Sequence, residues 1–123
     1  MTLVFVYGTL KRGGENHVFL AGQKFVGVAR TTPGFTLFSL GSYPGMIPWP
    51  SDRDGVTGEI WSVDAPCLAR LDELEGIAES LYRRAPVTLL APFDKMAVET
   101  YFYLRPVAGL PPNGSTWPLE RLT

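Results

Sequence analysis

Cysteine and histidine each occur only once in this sequence of 123 residues, and their scarcity excludes two kinds of site. The single cysteine, Cys67, rules out an internal disulfide and fits a reducing compartment. The single histidine, His17, rules out a metal site built from several histidines, and no metal ligands are expected. Cys67 falls on the apolar side of a predicted helix, which favours a core residue over a reactive thiol. His17 follows Asn16 at a predicted helical turn, which favours a helix-start or surface residue over a base.

The sequence also lacks an excess of charge and a long apolar run. A net charge of −1 provides no electrostatic attraction for nucleic acid or for an anionic membrane. The first apolar stretch has no basic leader and is too short for a signal peptide or a membrane span, which predicts a soluble, cytoplasmic protein. Apolar residues make up 46% of the chain, and its length fits one domain, 1–123, with a core that needs no disulfide or metal.

Three common catalytic motifs are missing. The chain contains no G-x-S-x-G elbow, no Walker loop and no G-x-G-x-x-G. Serine acyl transfer, nucleoside triphosphate use and dinucleotide binding therefore have no motif to support them. Carboxylates are the remaining candidates for chemistry.

The residues that are present predict a mixed α+β fold. Alternating and β-branched segments predict strands at 3–7, 24–31, 35–40, 56–63, 82–90 and 98–104. The clearest helix spans 65–75, with Asp64 as N-cap and Gly76 as its end, and Asn16 is expected to cap a short turn over 17–21. Residues 41–54 are expected to be irregular, and 106–123 to form a loop-like tail pinned by Trp117. The strands are expected to form a mixed sheet that curls toward a barrel.

The stretch VFVYGTLKRG at 4–13 contains the sharpest change in the chain from apolar to polar and basic residues. A β-branched and aromatic run, typical of a strand buried on both faces, stops at Gly8. After a glycine, the N–H groups of Thr9 and Leu10 are available to bind an anion. The alternative is an ordinary glycine turn without a ligand. Lys11 and Arg12 either add positive potential for an anionic substrate or are solvated loop charges.

Glu75 is the most promising carboxylate. At about 100° per residue it shares the apolar stripe of the predicted helix, whereas Glu73 points nearly opposite. A carboxylate directed at a core must be paired or line a cavity, and burial raises its pKa toward the range of a general base. The alternative is a helix-end residue that frays into solvent or pairs with Arg83 or Arg84. The rival carboxylates are Glu59 and Glu79, and Tyr7, Tyr43, Tyr82 and Tyr103 can each be core aromatics.

The order of four motifs resembles a known family. VYGTLKRG at 6–13, GEIWSVD at 58–64, LDELEG at 71–76 and YRR at 82–84 have the order and spacing of the gamma-glutamylcyclotransferase-like superfamily. The gamma-glutamylamine cyclotransferase branch shares the opening VFVYGTLKRG and a following Asn-His pair, here Asn16 and His17. The resemblance covers roughly residues 3–104. It implies a small mixed β-barrel with flanking helices.

The resemblance also implies a reaction and a site. The family converts a γ-glutamyl amine or amide to 5-oxoproline and the free amine, without metal or cofactor. Its catalytic glutamate corresponds to Glu75, its substrate loop to Tyr7, Gly8, Thr9 and Leu10, and the following tyrosine to Tyr82. Tyr43, in the Pro-rich segment, is expected to close over the ligand. The expected partner is thus a small γ-glutamyl molecule, with no nucleic acid and no membrane, and the oligomeric state stays open.

Two points keep the substrate open at this stage. One residue more separates Glu75 from Tyr82 than in the tighter family variants, and Ile77 to Ser80 lack the proline often found there, which leaves Glu79 as a rival for the catalytic role. The alternative functions are a ligand-binding domain that has lost turnover and an interaction domain that uses the apolar Pro-rich loop.

Overall fold

The computed structural model describes residues 1–110 and 112–118, and one mixed sheet dominates it. The helices are a 3₁₀ helix at His17–Leu20 and α1 at Ala65–Leu74. The strands are β1 at Thr2–Val6, β2 at Lys24–Arg30, β3 at Phe35–Ser39, β4 at Pro44–Pro48, β5 at Thr57–Val63, β6 at Tyr82–Pro86, β7 at Glu99–Tyr103 and β8 at Pro112–Gly114. The mixed α+β class predicted from the sequence is confirmed.

The sheet curls back on itself along the order β2-β5-β1-β7, with β6 on the far side of β7. The chain that follows β6 returns to the end of β2, where Thr31 and Leu89 form an isolated bridge. Thr32 N–H donates to Thr88 O at 3.0 Å and Leu90 N–H to Arg30 O at 2.8 Å. The sheet is therefore barrel-like, but one bridge rather than a full strand pair brings its ends together.

Strand β7 is the junction of the sheet, because it pairs with three strands. Strand β6 runs antiparallel along its whole length, from Tyr82↔Tyr103 to Pro86↔Glu99. The other edge is shared by two parallel neighbours, β1 at Val4↔Glu99 and β4 at Met46↔Phe102. A fork therefore opens between β1 and β4 beyond the last residue of β1. Ligands of α/β sheets bind in such crevices at the carboxyl ends of strands.

Two hydrophobic clusters cover the two faces of β1. Val4 and Val6 pack with Trp61, Cys67 and Leu71 on the helical side, whereas Phe5 packs on the other side with Leu37, Ile60 and Phe102. The prediction that this strand is buried on both faces is confirmed, as is the prediction that Cys67 is a core residue. Asp64 caps the N-terminus of α1, and its side chain accepts the Cys67 N–H, as predicted.

Three segments differ from the prediction. The strand predicted at 82–90 ends earlier, at Pro86. Residues 44–48, expected to be irregular, form β4 because β3 offers five consecutive pairing partners and β7 one more, and the two prolines lie only at the strand ends. The tail, expected to be loop-like, contains β8, which pairs with β3. Trp117 does pack against the core, while residues 111 and 119–123 of the predicted tail lie outside the described residues. No helix among the described residues is long and apolar enough to cross a membrane.

Candidate active site

A cavity of about 340 Å³ lies at the fork between β1 and β4. All seven residues singled out in the sequence line it: Tyr7, Gly8, Thr9, Leu10, Tyr43, Glu75 and Tyr82. They come from four separate parts of the chain, and the fold brings them together. The rival Glu79 is exposed and does not line the cavity.

The loop after β1 is held mainly through its carbonyl groups. Gly8 O accepts the Lys11 N–H at 3.2 Å, and Thr9 O accepts the Asn16 N–H at 2.9 Å. The prediction that Asn16 caps the 3₁₀ helix is wrong, since its side chain makes no capping hydrogen bond. Its Nδ2 instead donates to Thr9 Oγ1 at 3.0 Å. Within the described part of the chain, the N–H groups of Thr9 and Leu10 have no acceptor. The loop therefore presents free donors at the cavity, as the sequence predicts for an anion site.

His17 supports this loop from behind, a role that its sequence context did not indicate. Its Nδ1 hydrogen-bonds Leu10 O at 3.0 Å, and its ring packs edge-on against Trp61 at 5.2 Å between centroids. Because Nδ1 is engaged with a carbonyl and the ring is packed, His17 is a structural support for the loop.

Two tyrosine hydroxyls join β4 to the rest of the sheet. The Tyr7 hydroxyl donates to Tyr101 O at 2.6 Å and accepts the Met46 N–H at 3.2 Å. The Tyr82 hydroxyl donates to Pro44 O at 2.7 Å, so it does not donate to Glu75. Burial raises the pKa of both phenols, and the nearby Glu75 raises it further, so both are neutral at physiological pH.

Replacing Tyr7 with Phe is expected to lower the free energy of unfolding by about 1–3 kcal/mol, because it leaves a buried N–H and a buried carbonyl without their shared partner. Tyr43→Phe is the matched control, since Tyr43 lies at the rim and is 38% exposed. It is expected to change stability by less than about 0.5 kcal/mol. Urea unfolding of both variants measures the difference, and equal stabilities would contradict the bridging role of Tyr7.

Glu75 lies immediately after α1, where the chain turns sharply. Gly76, at φ +67°, donates its N–H to Glu73 O, and the Ile77 N–H donates to Asp72 O at 3.1 Å. This Schellman pattern ends the helix and leaves the Glu75 side chain at the cavity wall. The predicted alternative, an ion pair with Arg83 or Arg84, does not form. Arg84 binds Asp72 and Glu99, and Arg83 lies 5.4 Å above the Phe102 ring.

The Glu75 carboxylate has no hydrogen-bond or ion-pair partner among the residues that the structure describes. Burial raises its pKa from 4.5 to about 7. Glu75 can therefore both accept and release a proton near neutral pH, which is the property required of a general acid/base.

Glu59 is buried and fully engaged. It accepts hydrogen bonds from the Arg12 N–H and Nε, both at 3.0 Å, and from Trp61 Nε1 at 3.2 Å. Burial raises the pKa of Glu59, but these hydrogen bonds and the Arg12 charge outweigh that effect and lower the pKa. Glu59 is therefore an ionised structural carboxylate, and Arg12 is its partner rather than a free loop charge.

A second, smaller cavity of about 270 Å³ adjoins the first, and Gly8, Thr9, Glu15 and Ser42 line both. Its other walls include Lys11 and Trp117, and Lys11 Nζ donates to Trp117 O. Sequence reasoning missed Ser42 and also Tyr101, which lines the main cavity. Tyr101 lies in the run ETYFY, where the alternation of a strand does not distinguish a cavity wall from a core position.

Comparisons with known proteins agree with the motifs. The profile of the family described as gamma-glutamyl cyclotransferase, AIG2-like, matches residues 4–119. A protein of Vibrio cholerae is 39% identical over 99 residues, which cover 80% of this chain and 81% of that protein. The gamma-glutamylaminecyclotransferase of Homo sapiens is 33% identical to this chain, and the match covers 96% of this chain and 86% of the human protein. The crystal structure of an AIG2-like protein from Mus musculus is 35% identical, with a TM-score of 0.73 over 90% of this chain and 84% of that one.

The family resemblance predicted from VYGTLKRG, GEIWSVD, LDELEG and YRR is thereby confirmed, since the matched region contains all four motifs. The extra residue between Glu75 and Tyr82 is accommodated in the turns at 76–81, outside any helix or strand. This chain belongs to the gamma-glutamyl cyclotransferase, AIG2-like family.

Proposed function

We propose that this protein is a cyclotransferase that acts on a γ-glutamyl amine or amide and releases 5-oxoproline and the free amine. One observation carries the proposal: an unpartnered carboxylate, Glu75, and the free backbone donors of Thr9 and Leu10 line the same cavity. This pair matches a substrate that carries its own nucleophile, because cyclisation requires an anion-binding loop and a proton carrier rather than an enzyme nucleophile. The cytoplasmic location expected from the sequence is part of this proposal.

The loop 8–10 binds the α-carboxylate of the substrate through its backbone N–H groups. Held there, the γ-glutamyl chain curls so that its α-amine lies against its own γ-carbonyl carbon. Because the reacting atoms are already held close together, the entropy cost of bringing them together does not add to the barrier. Such positioning lowers the activation free energy by up to about 7–11 kcal/mol in the best intramolecular cases. Tyr7 and Tyr82 contribute by holding β4, and with it the opposite wall, in place.

Glu75 moves two protons through the reaction, one after the other. It first takes a proton from the α-ammonium, and the freed amine attacks the γ-carbonyl carbon and forms the ring C–N bond. Glu75 returns this proton to the departing nitrogen as the original C–N bond breaks, and then transfers the second surplus proton of the ring nitrogen to the freed amine, which leaves as its ammonium form. Atoms and charges balance without water, metal or cofactor, and Glu75 ends in its starting state. General acid/base transfer of this kind contributes about 10²- to 10⁴-fold in rate.

The leaving amine extends from the main cavity into the smaller one beside Lys11 and Trp117. The two cavities share part of the loop, Glu15 and Ser42, so the smaller one lies directly beside a substrate bound by the loop. Tyr43 and the strand β4 that follows it form the rim on the other side. These elements are expected to determine which amine or amide the protein accepts.

Release of 5-oxoproline from a panel of γ-glutamyl compounds tests the function. The panel contains γ-glutamyl amines, free γ-glutamyl amino acids and γ-glutamyl-ε-lysine. Turnover of at least one compound, with equal amounts of 5-oxoproline and free amine, is the expected result. A compound that binds but is recovered unchanged after long incubation would instead identify a ligand-binding domain. Absence of both binding and turnover across the panel would favour an interaction domain.

The pH dependence of kcat/KM is expected to follow Glu75. Only its ionised form accepts the substrate proton, so activity falls as the pH drops through about 7, and it approaches a tenfold loss per pH unit below that point. A pH series of initial rates in buffers of constant ionic strength measures the profile. An acid limb near pH 4.5, the ordinary carboxyl value, would contradict a buried general base.

A further inference from the structure

Four side chains form a polar cluster that ties α1 to β6 and β7 behind the main cavity. Arg84 Nε donates to Asp72 Oδ1 at 2.9 Å, and Arg84 Nη2 donates to Asp72 Oδ2 at 3.1 Å. Arg84 Nη1 donates to Glu99 Oε1 at 2.8 Å, and the Tyr101 hydroxyl donates to Asp72 Oδ1 at 2.7 Å. A single carboxylate of the helix is thus held by one residue of each neighbouring strand, with bidentate geometry on the arginine side.

Asp72 is located where it controls the end of the helix. It lies three residues before Glu75, so the two carboxylates share one face of the last turn. Its backbone carbonyl accepts the Ile77 N–H of the turn that follows the helix, while its side chain is held by the strands. Glu75 has no side-chain partner of its own among the described residues, so its position depends on this turn.

Tyr101 extends the same network to the substrate loop. Its ring lines the main cavity, its hydroxyl binds Asp72, and its backbone carbonyl accepts the Tyr7 hydroxyl. The hydrogen bonds therefore run from Glu99 and Arg84 through Asp72 and Tyr101 to the residue that precedes Gly8. The two halves of the site, the Glu75 turn and the loop, are connected through one strand.

We propose that Arg84 is a positioning residue that acts through Asp72 to hold the Glu75 carboxylate at the cavity. This inference rests on the proposed function, because it gives Arg84 a role only where Glu75 transfers the proton. Arg84 does not line the cavity, so it acts on Glu75 through Asp72 and not by touching the substrate.

Arg84 also balances charge beside Glu75. It is the cation between two carboxylates, Asp72 and Glu99. The other titratable groups on the cavity lining are the phenols of Tyr7, Tyr82 and Tyr101, which burial keeps neutral, the phenol of Tyr43 at the rim, and the exposed Glu15. Removing the Arg84 charge leaves an uncompensated Asp72 anion one turn from Glu75. A nearby like charge disfavours ionisation of Glu75.

The test is a set of variants measured by 5-oxoproline release on the compound of the panel that turns over best. Arg84→Met is expected to lower kcat by about 10- to 100-fold with a smaller change in KM, because the carboxylate shifts while the loop still binds substrate. It is also expected to move the acid limb of the kcat profile upward by about 0.5–1 pH unit. With Arg84→Lys, the acid limb is expected to return to its original pH, but kcat is expected to recover only in part, because lysine supplies the charge without the bidentate geometry.

Arg83→Met is the matched control. Arg83 precedes Arg84 on β6, but its guanidinium lies above the Phe102 ring, away from Asp72. It is expected to leave kcat and the acid limb unchanged. The double variant Arg84→Met/Asp72→Asn removes both charges, so its acid limb is expected to return to the original pH while kcat stays low. All rates are measured well below the Tm of each variant, determined by thermal unfolding.

Tyr101→Phe provides a milder probe if Arg84→Met does not fold. It removes one hydrogen bond to Asp72 and keeps the ring, so kcat is expected to fall about 3- to 10-fold without a large loss of stability. Unchanged kcat and acid limb in the Arg84 and Tyr101 variants would overturn the inference and leave the proposed function intact. An equal loss in Arg83→Met, or a loss in Arg84→Met without any pH shift, would show a merely structural role. Full turnover of Glu75→Gln would instead overturn the proposed function.

Discussion

Replacing Glu75 with Gln is expected to lower the rate of 5-oxoproline release by about 10²- to 10⁴-fold and, at pH 8, to stabilise the protein. The activity falls because glutamine has the shape of the carboxyl group but cannot carry the proton. The stability rises because the fold holds this carboxylate in an environment that disfavours its charge. A catalytic group that costs stability is typical of active sites.

The sign of the stability effect depends on pH. Burial raises the pKa of Glu75 in the folded protein to about 7, from an ordinary value of 4.5. Below pH 4.5 the group is protonated in both the folded and the unfolded chain, so its titration contributes nothing. Between pH 4.5 and 7 the unfolded chain releases the proton more readily, and folding becomes progressively less favourable. Above pH 7 the full cost is present, up to about 3 kcal/mol, and Glu75→Gln removes it.

Thermal unfolding at pH 4 and pH 8, beside the activity assay, measures both effects. Glu79→Gln is the control, because Glu79 is an exposed carboxylate four residues further along and outside the cavity. It is expected to change neither turnover nor the pH dependence of Tm. A Glu75→Gln variant that is both inactive and less stable at pH 8 would indicate a structural glutamate, contrary to the assigned role.

Replacing Gly8 with Ala is expected to lower kcat/KM by about 10²-fold, the second large effect. Gly8 has no positive φ angle, so alanine meets no backbone strain there. The obstacle is space, because the added Cβ would lie 2.8 Å from Pro44 Cγ and 2.9 Å from Pro44 Cδ. Relief requires the loop and β4 to separate. Pro44 O is the acceptor for the Tyr82 hydroxyl, so this movement disturbs both walls of the cavity.

A second substitution at the contact tests the steric explanation. Pro44→Ala removes the two ring atoms that the new Cβ would meet, so the double variant Gly8→Ala/Pro44→Ala is expected to recover part of the lost activity. Gly22→Asn is the control for glycine replacement in general. Gly22 lies at φ +79° with nothing within 4 Å of the position that a Cβ would take, and asparagine tolerates this conformation. If Pro44→Ala gives no rescue, the loss arises elsewhere than at this contact.

The elements that were predictable from the sequence are those whose signal is local. The strand β1 is an unbroken apolar run because both of its faces are covered, and such a run is visible without knowing what covers it. α1 was equally visible from its Asp64 cap, its apolar stripe and the glycine at its end. In contrast, β4 was missed because prolines at both ends hide a strand whose pairing partners lie on β3 and β7.

The candidate site shows the same division. The residues of the loop and Glu75 were identified from the break at Gly8, the helical stripe and the family motifs. Whether Glu75 faces a cavity or pairs with an arginine remained open, because helical geometry allows both. The fold resolves this point by engaging Arg84 with Asp72 and Glu99. The hydroxyl of Tyr82 likewise binds Pro44 O, a contact across 38 positions of the chain that no local pattern contains.

The amino-acid sequence alone was sufficient for the class of fold, for the family and for the residues that line the candidate site, because periodicity, caps and motifs involve neighbours along the chain. The shape and charge of the cavity required the three-dimensional arrangement. Tyr7 meets Tyr101 across 94 positions, and the fork between β1 and β4 exists only because both strands pair with one edge of β7. The fold also leaves the Glu75 carboxylate without a partner among the described residues and raises its pKa to about 7, since the residues that bury it are distant in sequence.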